Sequence, residues 1–193
     1  METARISRIS RNEGVSVVFL SADLLYSNAP SSEASGGEVE IDLVVEPDTS
    51  DRLQSLASDW RDVAISILTD LWRAEAPTRR GLIGIVLVGL DRIHELNRDF
   101  RGKDQPTDVL SFDLSDRAED IEGEVYIGVD RAVAQAEEIG CSLAEELARL
   151  MIHGTLHLAG HDHQDDEEEH RMIAATETWI AEWRHRAGEP EPL

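Results

Sequence analysis

From residue 38 onward, two periods of apolar residues alternate along the chain. In "EVEIDLVVE" (38–46), Val39, Ile41, Leu43 and Val45 share one face and mostly acids occupy the other, the pattern of a half-exposed strand. Leu53, Leu56, Ala57, Trp60, Val63, Ala64, Ile67, Leu68 and Leu71 then fall on a helical stripe. "GLIGIVLVGL" (81–90) is continuously apolar and bounded by glycine, which predicts a strand covered on both faces. Asp91 is placed to cap a short helix bearing Ile93, Leu96 and Phe100. "VLSFDL" (109–114) and "GEVYIGV" (123–129) predict two further strands, the second running into a helix that opens at Asp130 and closes at Gly140.

Ser142 and Glu145 form a capping box for the next helix, whose second half, "LARLMIHGTLHLA" (147–159), is nearly all apolar. A helix apolar on most sides belongs in the middle of a fold. A last amphipathic helix carries Met172, Ile173, Thr176, Ile180 and Trp183, with "DDEEE" (165–169) at its positive N-terminal end. The expected architecture is a single α+β domain over 38–187. It has about four strands in a mixed sheet, about five helices, and a central buried helix that carries histidines. Residues 1–37 read as an N-terminal extension. "NAPSSEASGG" (28–37) has the composition of a flexible linker. Arg5, Arg8 and Arg11 leave room for a targeting segment, although an extension without a role is the plainer reading. Residues 188–193 read as a tail.

Composition narrows the function classes. A chain of 193 residues is long enough to bury one sizeable core. No apolar run approaches the twenty or so residues of a membrane helix, so no membrane association is expected. The single Cys141 excludes an internal disulfide and a cysteine-based zinc site, which fits a reducing, cytoplasmic setting. Acidic residues number 40 against 18 basic ones, a net charge of -22. That balance opposes nonspecific binding to nucleic acid, so any nucleic-acid function needs a local cationic exception.

"HGTLHLAGHDH" (153–163) holds four of the chain's seven histidines. His153 and His157 lie four residues apart on the buried helix, so their rings share a face. Gly160 can end the helix in a left-handed turn, after which His163 can return to the same ion. Three neutral imidazoles with one open position suit catalytic zinc, because structural zinc is usually held by four protein ligands. The plain alternative is a set of half-buried polar residues at a helix end. His161 competes with His163 as third ligand, and His170, beyond the acidic run, reads as surface. The spacing is also that of the metzincin proteases, but their catalytic glutamate position is Gly154 here.

A second stretch, "NRDFRGKDQPTDVLSF" (97–112), concentrates Arg98, Arg101 and Lys103 beside a Gly-, Pro- and Asp-rich loop. Taken alone it reads as an ordinary loop with surface ion pairs. Together, "RGKDQPTDVLSF" and "HGTLHLAGHDH" resemble the YbeY family of bacterial and organellar endoribonucleases. The likeness runs from about residue 38 to residue 185 and includes the strand "GEVYIG". It implies one zinc ion on His153, His157 and His163, and Arg101 as the catalytic arginine. It also implies zinc-dependent cleavage of single-stranded RNA in ribosomal RNA maturation and ribosome quality control. Lys103 and Arg98 are the expected substrate contacts, with the ribosome or its proteins as partners. The sequence departs from the family pattern at His161, where the family commonly has tyrosine, and in the extension 1–37. Asp108 and a bound hydroxide are the candidates for general base. The rival readings are a zinc peptidase-like hydrolase and a noncatalytic ribosome-associated factor with a stabilising metal.

Overall fold

The alternating segment at residue 39 forms β1 (Val39–Val45), one edge of a four-stranded sheet that also contains β2 (Arg80–Val88), β3 (Val109–Asp113) and β4 (Asp120–Gly128). The strand order is β1-β2-β4-β3. β1, β2 and β4 run parallel and β3 pairs antiparallel with β4, so the sheet is mixed, as expected. The computed structural model describes residues 38–161 and 165–189; the extension 1–37, His163 and most of the tail lie outside the described residues.

Five α-helices are found among the described residues: α1 (Trp60–Glu75), α2 (Leu90–Arg101), α3 (Val129–Ile139), α4 (Leu143–Ala159) and α5 (Asp166–Ala187). One face of the sheet buries the main core, to which α1, α3, α4 and α5 contribute Leu71, Ala132, Met151 and Ile180. The opposite face carries a smaller cluster in which Ile93 and Leu96 of α2 pack on Val86, Leu110, Phe112 and Tyr126. The continuously apolar β2 is therefore interior on both faces, as its sequence predicts. Among the described residues no helix is long and apolar enough to cross a membrane.

Two local expectations change. The stripe that starts at Leu53 is not one helix: Pro47–Leu53 forms a 3₁₀ helix, a turn follows, and α1 begins at Trp60. Ser55, Ser58 and Asp59 lie in that turn, and such side chains compete for backbone hydrogen bonds. Asp91 does not cap α2, whose N-cap is Gly89. Asp130 takes the task from a distance, its Oδ2 accepting from the Leu90 amide at 3.1 Å. Ile173 also differs from expectation, being exposed on α5.

α4 is the central helix. Ser142 caps it, its Oγ accepting from the Glu145 amide at 3.1 Å, and Gly160 ends it in the left-handed region at φ 106°. Glu145, buried in the first turn, accepts from Arg184 of α5 at 3.0 and 2.5 Å and from Arg149 at 2.9 Å. At the other end the Gly160 and His161 amides donate to the His157 and Leu156 carbonyls. The Leu158 carbonyl accepts from Arg79 Nη1 at 2.6 Å. The helix is thus tied down at both ends, and its body lies on the sheet.

Candidate active-site cleft

One register row places the cleft. Leu43, Ile85, Val125 and Ser111 lie side by side across the sheet on the face that α4 covers. Three are apolar; the fourth, Ser111 on edge strand β3, is polar and donates its hydroxyl to the Gly154 carbonyl of α4 at 3.1 Å. Here α4 sits so close to the sheet that a Cβ at position 154 would lie 2.4 Å from Val125 Cγ1 and 3.0 Å from Ser111 Oγ. Gly154 is therefore a seat for the helix, and a glutamate side chain cannot occupy it.

With Gly154 turned inward, His153 and His157 face a cleft of about 200 Å³ at the β3 edge. Their rings are 4.7 Å apart between centroids, with planes at 87°, and the two Nε2 atoms are 3.1 Å apart. His157 Nδ1 lies 3.0 Å from the His161 carbonyl. A carbonyl only accepts, so Nδ1 carries the proton and the Nε2 lone pair points toward His153. An imidazole held through one nitrogen by a backbone carbonyl, with the other nitrogen facing a second imidazole, fits the outer-shell arrangement of metal-ligating histidines. The donor type suits zinc among other borderline ions. The expected third ligand, His163, lies outside the described residues. Among the described residues no three side chains able to bind a metal come together.

His161 meets the pair through its backbone carbonyl, while its ring turns to Glu75. Its Nε2 is 3.0 Å from Glu75 Oε2 at the end of α1, and Trp179 Nε1 of α5 donates to the other Glu75 oxygen at 3.4 Å. His170 is exposed on α5.

The opposite wall comes from α2 and the loop behind it. Gly102, in the left-handed region at φ 66°, ends α2, and its amide and that of Lys103 bond back to the Arg98 and Asn97 carbonyls. Buried Asn97 then donates to the Gln105 carbonyl at 2.7 Å, folding the loop against the helix. This turn brings Arg101 and Lys103 into the same cleft as His153 and His157, although Arg101 and His153 are 52 positions apart in sequence. Arg98 does not line it: it is exposed, and its Nε donates to Asp99 at 2.9 Å.

Asp108 forms the floor. It is buried, its Oδ1 accepting from the Val109 amide at 2.9 Å and from Thr107 Oγ1 at 3.1 Å, and its Oδ2 from Gln135 at 3.1 Å. Three donors to one carboxylate anchor it and make it a framing group for the loop. Behind it lies Glu146, also buried, whose carboxyl is pushed up to about 7 by burial, opposed by Arg149 and reinforced by the Asp108 charge. Sequence reading missed Asn97, Ser111, Gln135 and Glu75. Asn97 alone gave a local signal, a polar residue on the apolar stripe that Ile93, Leu96 and Phe100 mark.

Fold and cleft together define a single-domain α+β protein whose central helix presents an imidazole pair opposite two cations. The family model described as Endoribonuclease YbeY matches residues 47–184. A relative named Endoribonuclease YbeY from Bacillus velezensis is 35% identical over 147 residues, covering 70% of this chain and 94% of that protein. Another of that name, from Carboxydothermus hydrogenoformans, is 50% identical over 91 residues, covering 47% of this chain and 64% of that protein. A protein of Thermotoga maritima solved in solution superposes with a TM-score of 0.51 at 30% identity, over 79% of this chain and 98% of that one. The chain belongs to the endoribonuclease YbeY family, which makes it an RNA endonuclease by family.

Proposed function

We propose that the chain is a zinc-dependent endoribonuclease that cleaves single-stranded RNA. In this reading it acts in the cytoplasm on ribosomal RNA, at the 3' end of 16S RNA, and in ribosome quality control. The observation that carries the reading is the convergence of His153, His157, Arg101 and Lys103 on one cleft in a chain of net charge -22. His153 and His157 would hold the ion with His163, and a bound divalent ion supplies Lewis-acid charge beside a phosphate.

The chain's own residues supply the remaining chemistry. The Arg101 guanidinium can grip two phosphate oxygens at once and offset the charge that grows on them in the transition state. Lys103, a point charge on a flexible stem, neutralises a neighbouring phosphate. Arg101 closes α2 and Lys103 sits on the loop that Asn97 and Asp108 hold, so little reorganisation accompanies the reaction. Two cations on one wall meet the need for a local exception to the acidic body. Specificity for ribosomal RNA would then rest on partners such as the ribosome or its proteins.

The peptidase reading loses its base at Gly154, where the sheet leaves no room for a side chain. The reading as a noncatalytic factor keeps the ion and discards Arg101. Purified protein incubated with single-stranded ribosomal RNA and with a peptide library, each with and without chelator, tests all three. RNA cleavage abolished by chelator, with peptides intact, is the expected result. Peptide cleavage, or inert RNA with zinc bound, would overturn the proposal.

A further inference from the structure

We propose that Glu75 is a positioning residue for the histidine pair and that His161 is its strut, not a metal ligand; this rests on the zinc reading of the cleft. The chain of contacts is continuous. Glu75 closes α1, and its Oε2 meets His161 Nε2 at 3.0 Å, while Trp179 of α5 donates to its other oxygen at 3.4 Å. A carboxylate only accepts, so His161 Nε2 is the donor and that nitrogen has no lone pair for a metal. The backbone of the same residue does the second job. The His161 carbonyl accepts from His157 Nδ1 at 3.0 Å, which leaves His157 Nε2 facing His153 Nε2 at 3.1 Å.

The side chain of His161 therefore fixes where its own carbonyl stands, and that carbonyl fixes the tautomer and ring orientation of His157. Among the described residues, Glu75 is the side chain that holds the His161 ring. Without it, His161 would keep only its backbone contacts, its amide on the Leu156 carbonyl and its carbonyl on His157 Nδ1, among the described residues. Arg79, four residues beyond Glu75, holds the Leu158 carbonyl, so the α1–β2 connection grips the end of α4 at two points. Neither contact is legible locally, since 86 residues separate Glu75 from His161. Partners that orient a ligating histidine typically account for about ten- to a hundredfold in metal affinity.

The test uses the full chain as wild type, Glu75→Met, Glu75→Gln, His161→Phe and the Glu75→Met/His161→Phe double variant. Zinc affinity is read by competition with a chromogenic chelator, and imidazole tautomers by long-range proton–nitrogen spectra after chelation. Circular dichroism checks folding; Glu75→Asp, which retracts the carboxylate, replaces Glu75→Met should that variant not fold. Glu75→Met and His161→Phe should each bind one ion about ten- to a hundredfold more weakly. The double variant should be no weaker than either single one, because both remove the same strut. Glu75→Gln should stay near wild type, since an amide oxygen still accepts, and His157 should pass from one tautomer to a mixture in Glu75→Met. A His161→Phe chain that binds no ion, additive losses, or wild-type affinity and tautomer in Glu75→Met would overturn the proposal. A wild-type chain that takes up no zinc refutes the metal reading instead. The imidazole spectra then decide the strut, a mixed His157 tautomer in Glu75→Met supporting it and an unchanged one overturning it.

Discussion

Replacing Gly154 with alanine adds one methyl group at the point where α4 touches the sheet. That carbon would stand 2.4 Å from Val125 Cγ1 and 3.0 Å from Ser111 Oγ, whereas nonbonded carbons prefer about 3.5–4.0 Å. Val125 cannot retract: it is fully buried on β4, flanked in its register row by Ile85 and Ser111. Overpacking of this kind costs about 1–3 kcal/mol, and alanine returns about 1 kcal/mol through its better helix propensity. An approach of 2.4 Å puts the cost in the upper part of that range, about 2–3 kcal/mol, so the net expectation is a loss of about 1–2 kcal/mol. For a chain of this size that lowers the melting temperature by roughly 2–8 °C. Urea unfolding of the full chain, with chelator in every sample, measures the loss without a contribution from bound metal, and an unchanged slope against denaturant would confirm that only stability moved. Gly160→Ala is the comparison, because space there is open and only the positive φ opposes a side chain. A Gly154→Ala chain as stable as wild type would refute the seating of α4 on Val125.

Three further outcomes are expected. His157→Ala should lose the ion while keeping the fold, read as zinc per chain by elemental analysis beside a melting curve; retained stoichiometric zinc would remove His157 from the site. Arg101→Ala should lower RNA cleavage about a hundredfold or more with zinc content unchanged, and Arg101→Lys should restore only part, because an ammonium lacks the planar fork; wild-type rates in a zinc-loaded Arg101→Ala chain would remove this residue from the mechanism. Glu146, raised from 4.5 to about 7 by burial, contributes most to stability below its unfolded value and loses that contribution as pH rises through its folded one. Glu146→Gln should therefore match wild type near pH 4.5 and exceed it by up to roughly 3 kcal/mol at pH 8; parallel stability curves across that range would refute the assignment.

What the sequence made legible is what depends on neighbours along the chain. The Ser142 cap, the Gly160 stop and the apolar surface between them define α4 almost to the residue, and the unbroken apolar run at 81–90 marks β2 as interior. Strand order is different: β3 and β4 are consecutive and antiparallel, while β1, β2 and β4 pair across long crossovers that leave no local trace. The cleft divides the same way. Helical spacing was enough to put His153 and His157 on one face. Which of Arg98 and Arg101 turns toward them depends on where α2 docks, and the structure turns Arg101 inward and leaves Arg98 with Asp99 on the surface. The inward aim of Gly154 was equally hidden, since the sequence showed only a missing glutamate.

The placement of α4 bears on how the molecule breathes. It lies between the sheet and three other helices, α1, α3 and α5, so amides such as those of Ile152 and Leu156 are expected to reach solvent only when the domain opens as a whole. Their exchange with deuterium should report the full unfolding free energy, and the histidine pair, fixed to the same helix, cannot separate through a cheaper local fluctuation. Any ion that binds only the folded chain then slows that exchange by a factor of one plus the ratio of free ion concentration to Kd. The imidazole pair is thus expected to ride on the slowest-exchanging part of the fold.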